Sequence, residues 1–273
     1  MPEGPEVEAV ARTLSPLVTG HMIRRVLVRH AVAVRPQAPG TLRKAAGAQI
    51  TAVERRGKHL LLALDRGLLR LHFKFDGKLL WFDGPGAAIP RGTHVDVALI
   101  TDRGTLAFVD PRHLGHIHWI ADPGDSASLR SLGVDCFSRE FTADYLAECC
   151  RARPCPLKTL LVDQTRIAGI GNIYASESLW HAQLNPLRRS DALSAAEIRR
   201  LHKAVVSVLA RALECVLDPP PDFRNPNWWF ADLDPIVRVY GREGVPCPRC
   251  GKAIRRKKQA GRSTYFCFHC QGL

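Results

Sequence analysis

Four cysteines near the end of the chain constrain its fold more than any other feature. They form two Cys-x-x-Cys turns, Cys247 with Cys250 and Cys267 with Cys270, separated by sixteen residues. Each turn can offer two thiolates to one tetrahedral ion, and the residues between them are enough for a β-hairpin. The spacing therefore predicts a hairpin that holds one structural Zn²⁺. Two disulfides or a redox pair are the alternative.

The chain carries a large excess of positive charge. Of its 273 residues, 39 are Lys or Arg and 26 are Asp or Glu, which gives a formal net charge of +13. Basicity of that size predicts a polyanionic partner, either nucleic acid or an anionic membrane surface. Five of the cations, 255–258 and Arg262, lie between the two cysteine pairs, where a hairpin can present them to phosphates. An ordinary solvated charged face is the alternative for these five residues.

Other features favour nucleic acid in the cytoplasm over a membrane or a secreted context. The first ten residues, MPEGPEVEAV, have neither the basic nor the apolar region of a secretory signal. No apolar stretch reaches the roughly 18 residues needed to cross a bilayer. The count of nine cysteines is odd, which argues against a disulfide framework. We therefore expect a cytoplasmic protein that binds no membrane, with its five other cysteines reduced and structural.

The first part of the chain predicts a helix followed by a β-rich domain. Apolar residues recur every three or four positions from Val7 to Leu17, which places them on one helix face ending near Gly20. Short runs rich in branched residues follow, separated by Asp- and Gly-containing turns, as is typical of a sandwich or barrel. Examples of the predicted strands are Met22–His30, His59–Leu64, Leu68–Phe73, His94–Ile100 and Gly115–Ile120.

From about residue 138 the pattern becomes helical, so the fold class is α+β. Ser194 and Glu197 have the spacing of a capping box at the start of the longest helix. The predicted helices are Phe141–Cys150, Leu157–Asp163, Ile173–Ala182 and Ala195–Leu217. We expect three domains: a β-sandwich over 1–125, a helical domain over 138–235 and a zinc finger over 236–273.

The N-terminus can carry chemistry. Removal of Met1 would make Pro2 a free secondary amine, and an α-amino group has a pKa near 8, far below that of lysine. Part of it is then an unprotonated nucleophile at neutral pH, with Glu3 and Glu6 within one turn for acid–base assistance. The alternative is a plain helix start whose acidic residues complement the helix dipole.

A glycine-rich turn, Gly169-Ile170-Gly171-Asn172, precedes a predicted helix and can present backbone N–H groups to an anion. Together with the preceding motifs it resembles the bacterial formamidopyrimidine-DNA glycosylase and endonuclease VIII family. The resemblance spans essentially the whole chain and rests on six segments in the same order: 1–6 (MPEGPE), 56–58 (RGK), 110–112 (DPR), 169–177 (GIGNIYASE), 239–242 (VYGR) and the four-cysteine finger.

The resemblance implies a bifunctional DNA glycosylase and AP lyase of base-excision repair that acts on double-stranded DNA. It implies a β-sandwich domain, a helix–two-turn–helix domain and the zinc hairpin. Its expected catalytic residues are Pro2 as the nucleophile at C1′, Glu3, Glu6, Lys58 and Arg262. Its expected DNA contacts are Phe75, His94, Arg112, Leu114, Asn172 and Arg262. We expect a monomer, associated with the nucleoid when bound to DNA.

Several residues depart from the family pattern, and they concern the choice of lesion. Gly4 is typical of the endonuclease VIII branch, whereas the segments 169–177 and 239–242 look like the formamidopyrimidine branch. Phe75 and Leu114 replace the usual wedge residues but remain large and apolar. Trp228 and Trp229 lie where a loop covers the flipped base, and loop packing is favoured over a lid. We expect oxidised, ring-opened purines as substrates; an oxidised-pyrimidine glycosylase or a non-catalytic zinc-finger protein are the alternatives.

Overall fold

The computed structural model describes residues 2–230 and 233–272, which form two compact units. The N-terminal unit comprises Pro2, Glu6–Arg130 and Pro219–Phe230. The C-terminal unit comprises Glu3–Pro5, Ser131–Asp218 and 233–272. The chain passes from the first unit to the second at Arg130, beside the boundary expected between 125 and 138. Among the described residues, no helix has both the length and the apolar character of a membrane span.

The N-terminal unit contains the predicted helix and two antiparallel four-stranded sheets. Helix α1 spans Gly4–Val18, and a short helix α2 spans Ala127–Arg130. The strands are β1 Ile23–Val28, β2 Ile50–Arg56, β3 His59–Leu64, β4 Leu68–His72, β5 Lys78–Asp83, β6 Val95–Thr101, β7 Gly104–Val109 and β8 His116–Ile120. One sheet has the order β1-β6-β7-β5 and the other β2-β3-β4-β8. Buried residues of both sheets form one core, which confirms the predicted sandwich.

Three of these eight strands, β2, β5 and β7, were not among the examples that the sequence singled out. β7 is buried along its whole length, and β5 is buried at three consecutive positions, so neither shows the alternation of a half-exposed strand. β2 has an irregular register with β3 between Ile50 and Ala52, which breaks its alternation as well. β1 ends at Val28 rather than His30, because the amides of Arg29 and His30 both donate to the carbonyl of Asp96.

The C-terminal unit has the four predicted helices and the predicted hairpin. The helices are α3 Ala143–Ala152, α4 Leu157–Val162, α5 Asn172–His181 and α6 Ala195–Val216. Ser194 and Glu197 form the expected capping box of α6. Short parallel strands β9 Val134–Asp135 and β10 Ile167–Ala168 pair beside them. The hairpin consists of β11 Arg255–Gln259 and β12 Arg262–Phe266.

The segment Pro219–Phe230 belongs to the N-terminal unit, although the sequence placed it in the helical domain over 138–235. Its contacts explain the difference: the amide of Trp81 donates to the carbonyl of Phe223, at 2.7 Å, and the indole of Trp228 donates to the carbonyl of Leu79, at 2.8 Å. Trp228 is buried, which confirms loop packing for this residue, whereas Trp229 is half exposed.

Candidate active site and nucleic-acid interface

Glu3 is a buried carboxylate at the start of a helix. Its side chain is 2% exposed. It accepts hydrogen bonds from the backbone amides of Ile173 and Tyr174, at 3.1 and 3.4 Å, in the first turn of α5. The free N–H groups and the positive dipole end of a helix favour a carboxylate at this position. The glycine-rich turn that the sequence singled out as an anion site is thus the place where Glu3 is held.

Two glycines make this position accessible. A Cβ atom built on Gly171 would lie 2.2 Å from Cδ of Glu3, so any side chain there would displace the carboxylate. The amide of Gly4 donates to the carbonyl of Gly169, at 2.9 Å, and a Cβ on Gly4 would lie 3.1 Å from that oxygen. The segment Glu3–Pro5 is therefore held against the turn by a backbone hydrogen bond, and the missing side chain of Gly171 leaves room for the Glu3 carboxylate.

The other predicted catalytic residues near the N-terminus lie in the N-terminal unit. Pro2 is buried and directly precedes Glu3, and Glu6 is 4% exposed in the first turn of α1. Lys58 lies in the two-residue turn between β2 and β3, where Arg56 pairs with His59. It is therefore at a hairpin tip, yet it is only 6% exposed. Met1 lies outside the described residues.

A hydrogen bond joins Asn172 to the zinc hairpin. The side-chain amide of Asn172 donates to the carbonyl of Ser263, at 3.0 Å. Ser263 directly follows Arg262, which is exposed at the end of the β11–β12 turn. The carbonyl side-chain atom of Asn172 is buried and has no hydrogen-bond partner among the described residues. The structure thus brings two predicted phosphate-binding residues, Asn172 and Arg262, to one place.

Lys158 also belongs to this place, and sequence reasoning missed it. Its ammonium donates to the carbonyl of Ser263, at 2.6 Å, and to the hydroxyl of Thr264, at 2.8 Å. The side chain is 2% exposed. Burial and the charge of nearby Arg262 lower the pKa of Lys158 to about 8. A single lysine in the apolar run around α4 carries no signal for such a role, because its partners lie 105 and 106 residues away.

The two residues expected at the DNA wedge, Phe75 and Leu114, and the expected DNA contact Arg112 all lie in the N-terminal unit. Phe75 and Leu114 are 49% and 46% exposed, so both large apolar side chains reach the surface. The guanidinium of Arg112 lies 5.1 Å from the ring centroid of Phe75 and forms an ion pair with Asp76. The structure therefore presents an exposed aromatic, an aliphatic and a cationic side chain on neighbouring loops.

The loop that carries Arg112 and Leu114 is shaped by Asp110. This carboxylate is 0% exposed and accepts from the amides of Arg112, Leu114 and Gly115, at 2.9, 2.9 and 2.6 Å. The amide of Asp110 in turn donates to the carbonyl of His94, whose side chain is exposed. Asp110 is therefore a positioning residue of the loop.

Glu177 joins two motifs that are far apart in the sequence. Its side chain is 1% exposed and accepts from the amides of Arg238, Val239 and Tyr240, at 2.8, 2.9 and 2.8 Å. Burial raises the pKa of the Glu177 carboxyl, and these amides act in the opposite direction. The motif ending at Glu177 and the motif 239–242 are therefore two halves of one structural contact.

The four cysteines of the finger are positioned to bind one zinc ion. Their sulfur atoms all lie within 4.8 Å of one another. The Sγ–Sγ distances are 3.9 Å for Cys247 and Cys270 and 3.4 Å for Cys250 and Cys267. Four thiolates about 2.3 Å from a tetrahedral ion lie roughly 3.8 Å apart, so these sulfurs fit Zn²⁺. The indole of Trp180 donates to Sγ of Cys247, at 3.4 Å.

Comparison with known proteins finds matches to both units and to the finger. Family models match at residues 1–117 (formamidopyrimidine-DNA glycosylase N-terminal domain), 132–217 (its H2TH domain) and 244–272 (zinc finger found in FPG and IleRS). A formamidopyrimidine-DNA glycosylase of Alkalilimnicola ehrlichii is 38% identical over 276 residues, covering 99% of this chain and 100% of the relative. The chain belongs to the formamidopyrimidine-DNA glycosylase family. The resemblance inferred from the sequence is thereby confirmed.

Solved structures of this glycosylase family share the fold. The MutM (Fpg) protein of Thermus thermophilus matches with a TM-score of 0.84 at 36% identity, covering 99% of this chain and 98% of that one. A Lactococcus lactis Fpg mutant in complex with DNA containing Fapy-dG matches with a TM-score of 0.87 at 30% identity, covering 99% of both chains. Base-excision glycosylase activity with AP lyase activity is characteristic of the family.

Proposed function

We propose that this chain is a base-excision DNA glycosylase and AP lyase that removes oxidised bases, ring-opened purines above all, from double-stranded DNA. The observation that carries the proposal is the position of Glu3. Glu3 directly follows Pro2 in the chain and accepts from the amides of Ile173 and Tyr174, in the helix turn that begins at Asn172. The candidate nucleophile and its acid are therefore adjacent in the chain, and the acid contacts the turn that carries Asn172.

Pro2 is the proposed nucleophile. Once Met1 is removed, its nitrogen attacks C1′ of the damaged nucleotide, the glycosidic bond breaks, and the base leaves with its bonding electrons. Opening of the sugar gives an iminium between Pro2 and C1′. This iminium acidifies the C2′ hydrogens, so loss of one proton expels the 3′ phosphate by β-elimination. A further proton loss expels the 5′ phosphate by δ-elimination, and hydrolysis of the remaining iminium frees the enzyme.

The carboxylates and Lys58 assist these steps. Glu3 is the proposed acid at the sugar or the base, and Glu6 assists proton transfer. Both are almost fully buried, which excludes water that would compete for the proton. Lys58, at the tip of the β2–β3 hairpin, holds a phosphate near the lesion.

The remaining predicted residues hold the DNA. Asn172 and Arg262, joined through Ser263, are the proposed clamps on phosphates around the flipped nucleotide. Phe75, Arg112 and Leu114 are the proposed wedge that fills the gap in the base stack. His94, exposed just before β6, is a further proposed DNA contact.

Lesion choice follows from the residues that touch the base rather than the phosphates. Phosphate clamps are indifferent to the base, so they act on any lesion. Selectivity between bases depends on single hydrogen bonds worth roughly 1–3 kcal/mol. The altered wedge residues and the loop over 225–230 change which contacts to the base are available. We therefore propose that the enzyme cleaves at abasic sites and ring-opened purines and discriminates less strongly for 8-oxoguanine than the family's purine branch does. The proposal also includes action as a monomer in the bacterial cytoplasm, at the nucleoid when bound to DNA.

The test is a set of single-turnover rates on duplexes that contain an abasic site, a formamidopyrimidine, 8-oxoguanine or an oxidised pyrimidine. We expect fast cleavage at the first two and slower cleavage at the third. A preference for oxidised pyrimidines would place the chain's specificity with endonuclease VIII. Absence of cleavage on every duplex, with DNA binding retained, would make it a non-catalytic zinc-finger protein.

A further inference from the structure

Three separate segments of the N-terminal unit bring two histidines and a carboxylate together. His30 follows β1, Asp96 lies in β6, and His113 lies in the loop between β7 and β8. Nδ1 of His113 is 2.5 Å from Oδ1 of Asp96, and the ring centroids of His30 and His113 are 4.4 Å apart. One ligand atom from each of the three residues lies within 4.8 Å of the other two. The zinc finger is the other such group in residues 2–230 and 233–272.

The carboxylate of this group is buried and incompletely paired. Asp96 is 0% exposed. Its Oδ1 contacts His113, whereas its Oδ2 is buried without a hydrogen-bond partner among the described residues. A buried carboxylate is costly unless both oxygens are hydrogen-bonded or coordinate a metal ion. His113 alone therefore leaves half of the carboxylate without compensation.

Backbone hydrogen bonds fix the positions of both histidines. The amide of His30 donates to the carbonyl of Asp96, at 3.2 Å, and the amide of His113 donates to the carbonyl of Asp110, at 3.1 Å. His113 has a φ of +54°, in the left-handed region that few non-glycine residues adopt. Such a conformation persists only where the surrounding structure imposes it, and it often marks a functional position. His30 is exposed, so the group is open to solvent.

We propose that His30, Asp96 and His113 bind a divalent transition-metal ion of the Zn²⁺ type. Imidazole nitrogens and a carboxylate are ligands that Zn²⁺, Co²⁺ and Ni²⁺ accept. Three protein ligands leave a coordination position for water, unlike the closed four-thiolate site of the finger. The Asp96 ligand would be Oδ2, the oxygen that lacks a partner, because Oδ1 and Nδ1 of His113 are closer together than two ligands of one ion. The ion ties the loop that carries Arg112 and Leu114 to β1 and β6.

The experiment uses the full chain with its finger loaded with one zinc. Co²⁺ is titrated and followed by visible absorption, because ligation by nitrogen and oxygen gives no thiolate-to-cobalt charge-transfer bands, whereas exchange into the finger does. The variants are His30→Gln, at an exposed position, and His113→Asn, since asparagine tolerates the left-handed backbone. Arg29→Ala, an exposed neighbour of His30, is the control.

We expect the wild-type chain and the Arg29 variant to bind one further Co²⁺ without charge-transfer bands. Each histidine variant loses at least about 10-fold in affinity, since even partners outside the coordination shell are worth that much. Circular dichroism shows whether the variants stay folded. Failure of the wild-type chain to bind a further ion, or wild-type affinity in both histidine variants, would overturn the proposal. His113 would then only neutralise Asp96.

Discussion

Glu3 and Glu177 are both buried carboxylates that accept hydrogen bonds from backbone amides, but we propose different roles for them. Both are almost fully buried in the C-terminal unit, and both accept backbone N–H groups. The bonds to Glu177 measure 2.8 to 2.9 Å and come from three consecutive residues. Those to Glu3 measure 3.1 and 3.4 Å and come from the first turn of a helix.

If Glu3 is the proposed acid, burial and backbone hydrogen bonds do not by themselves distinguish a catalytic carboxyl group from a structural one. Glu177 fixes a segment about 61 to 63 residues further along the chain with short bonds, which is the geometry of a structural link. Glu3 is constrained by longer bonds and directly follows the candidate nucleophile. The comparison predicts that loss of Glu3 acts on chemistry and that loss of Glu177 acts on stability.

The largest effect is expected for Glu3→Gln. The amide keeps the shape of the side chain but cannot donate a proton as an acid, and general acid–base catalysis contributes about 10²–10⁴-fold. We expect base excision to slow about 10³-fold in single-turnover assays, with little change in melting temperature. Cleavage of a duplex with a preformed abasic site should fall much less, because no base has to leave. Glu214→Gln, an exposed acid on α6, is the control. An equal loss on both substrates would assign Glu3 to binding or folding.

Glu177→Ala should lower the free energy of unfolding of the C-terminal unit by about 3 kcal/mol, because three backbone amides lose their acceptor and a buried unpaired amide costs roughly 1–3 kcal/mol. Glu177→Gln should cost less, since Oε1, the acceptor for Val239 and Tyr240, is retained. Denaturant unfolding measures both, with Glu214→Ala as the control. Unchanged stability together with slowed base excision would reverse the roles given to the two acids.

Gly171→Ala tests whether the site of Glu3 depends on an empty position. The added methyl group would overlap the Glu3 carboxyl, so the side chain must move away from the amides of Ile173 and Tyr174. We expect base excision to slow about 100-fold, since small misplacements of reacting groups cost about that much. Gly40→Ala is the matched control, because a Cβ there meets nothing within 4 Å. Full activity of the Gly171 variant would show that the observed position of Glu3 is not needed.

The smallest effect is expected at Arg262, which acts on phosphates and not on the proton transfers of either acid. Removal of one phosphate contact lowers the magnitude of the salt slope by about 0.9 on duplex DNA. Arg262→Ala should weaken DNA binding about 10-fold and flatten the salt slope. Arg262→Lys should restore only part of the affinity, because lysine cannot donate two parallel N–H bonds to one phosphate. Arg199→Ala, an exposed arginine on α6, removes the same charge as a control. Equal effects of the two alanine variants on DNA binding would show that Arg262 contributes only to the overall positive charge and makes no specific phosphate contact.

The sequence predicted the features whose signal is local. The finger depends on cysteine spacing and α6 on a capping box and an apolar stripe, and the structure has both. The sequence did not single out β5 and β7, because buried strands lack the alternation of apolar and polar residues. The motifs identified Glu3 and Asn172, but Lys158 and Glu177 gain their roles from partners 61 to 106 residues away. The tertiary fold determines such contacts, and residue spacing along the chain does not predict them.

Borohydride trapping directly tests the proposal that Pro2 is the nucleophile. Borohydride reduces an iminium to a stable amine, so the enzyme becomes linked to a duplex that contains a lesion. We expect peptide mapping by mass spectrometry to place the link at Pro2, and trapping to fall sharply in Pro2→Gly and in protein that retains Met1. Efficient trapping of the wild-type chain through the side-chain nitrogen of a lysine, such as Lys58 or Lys158, would contradict the claim.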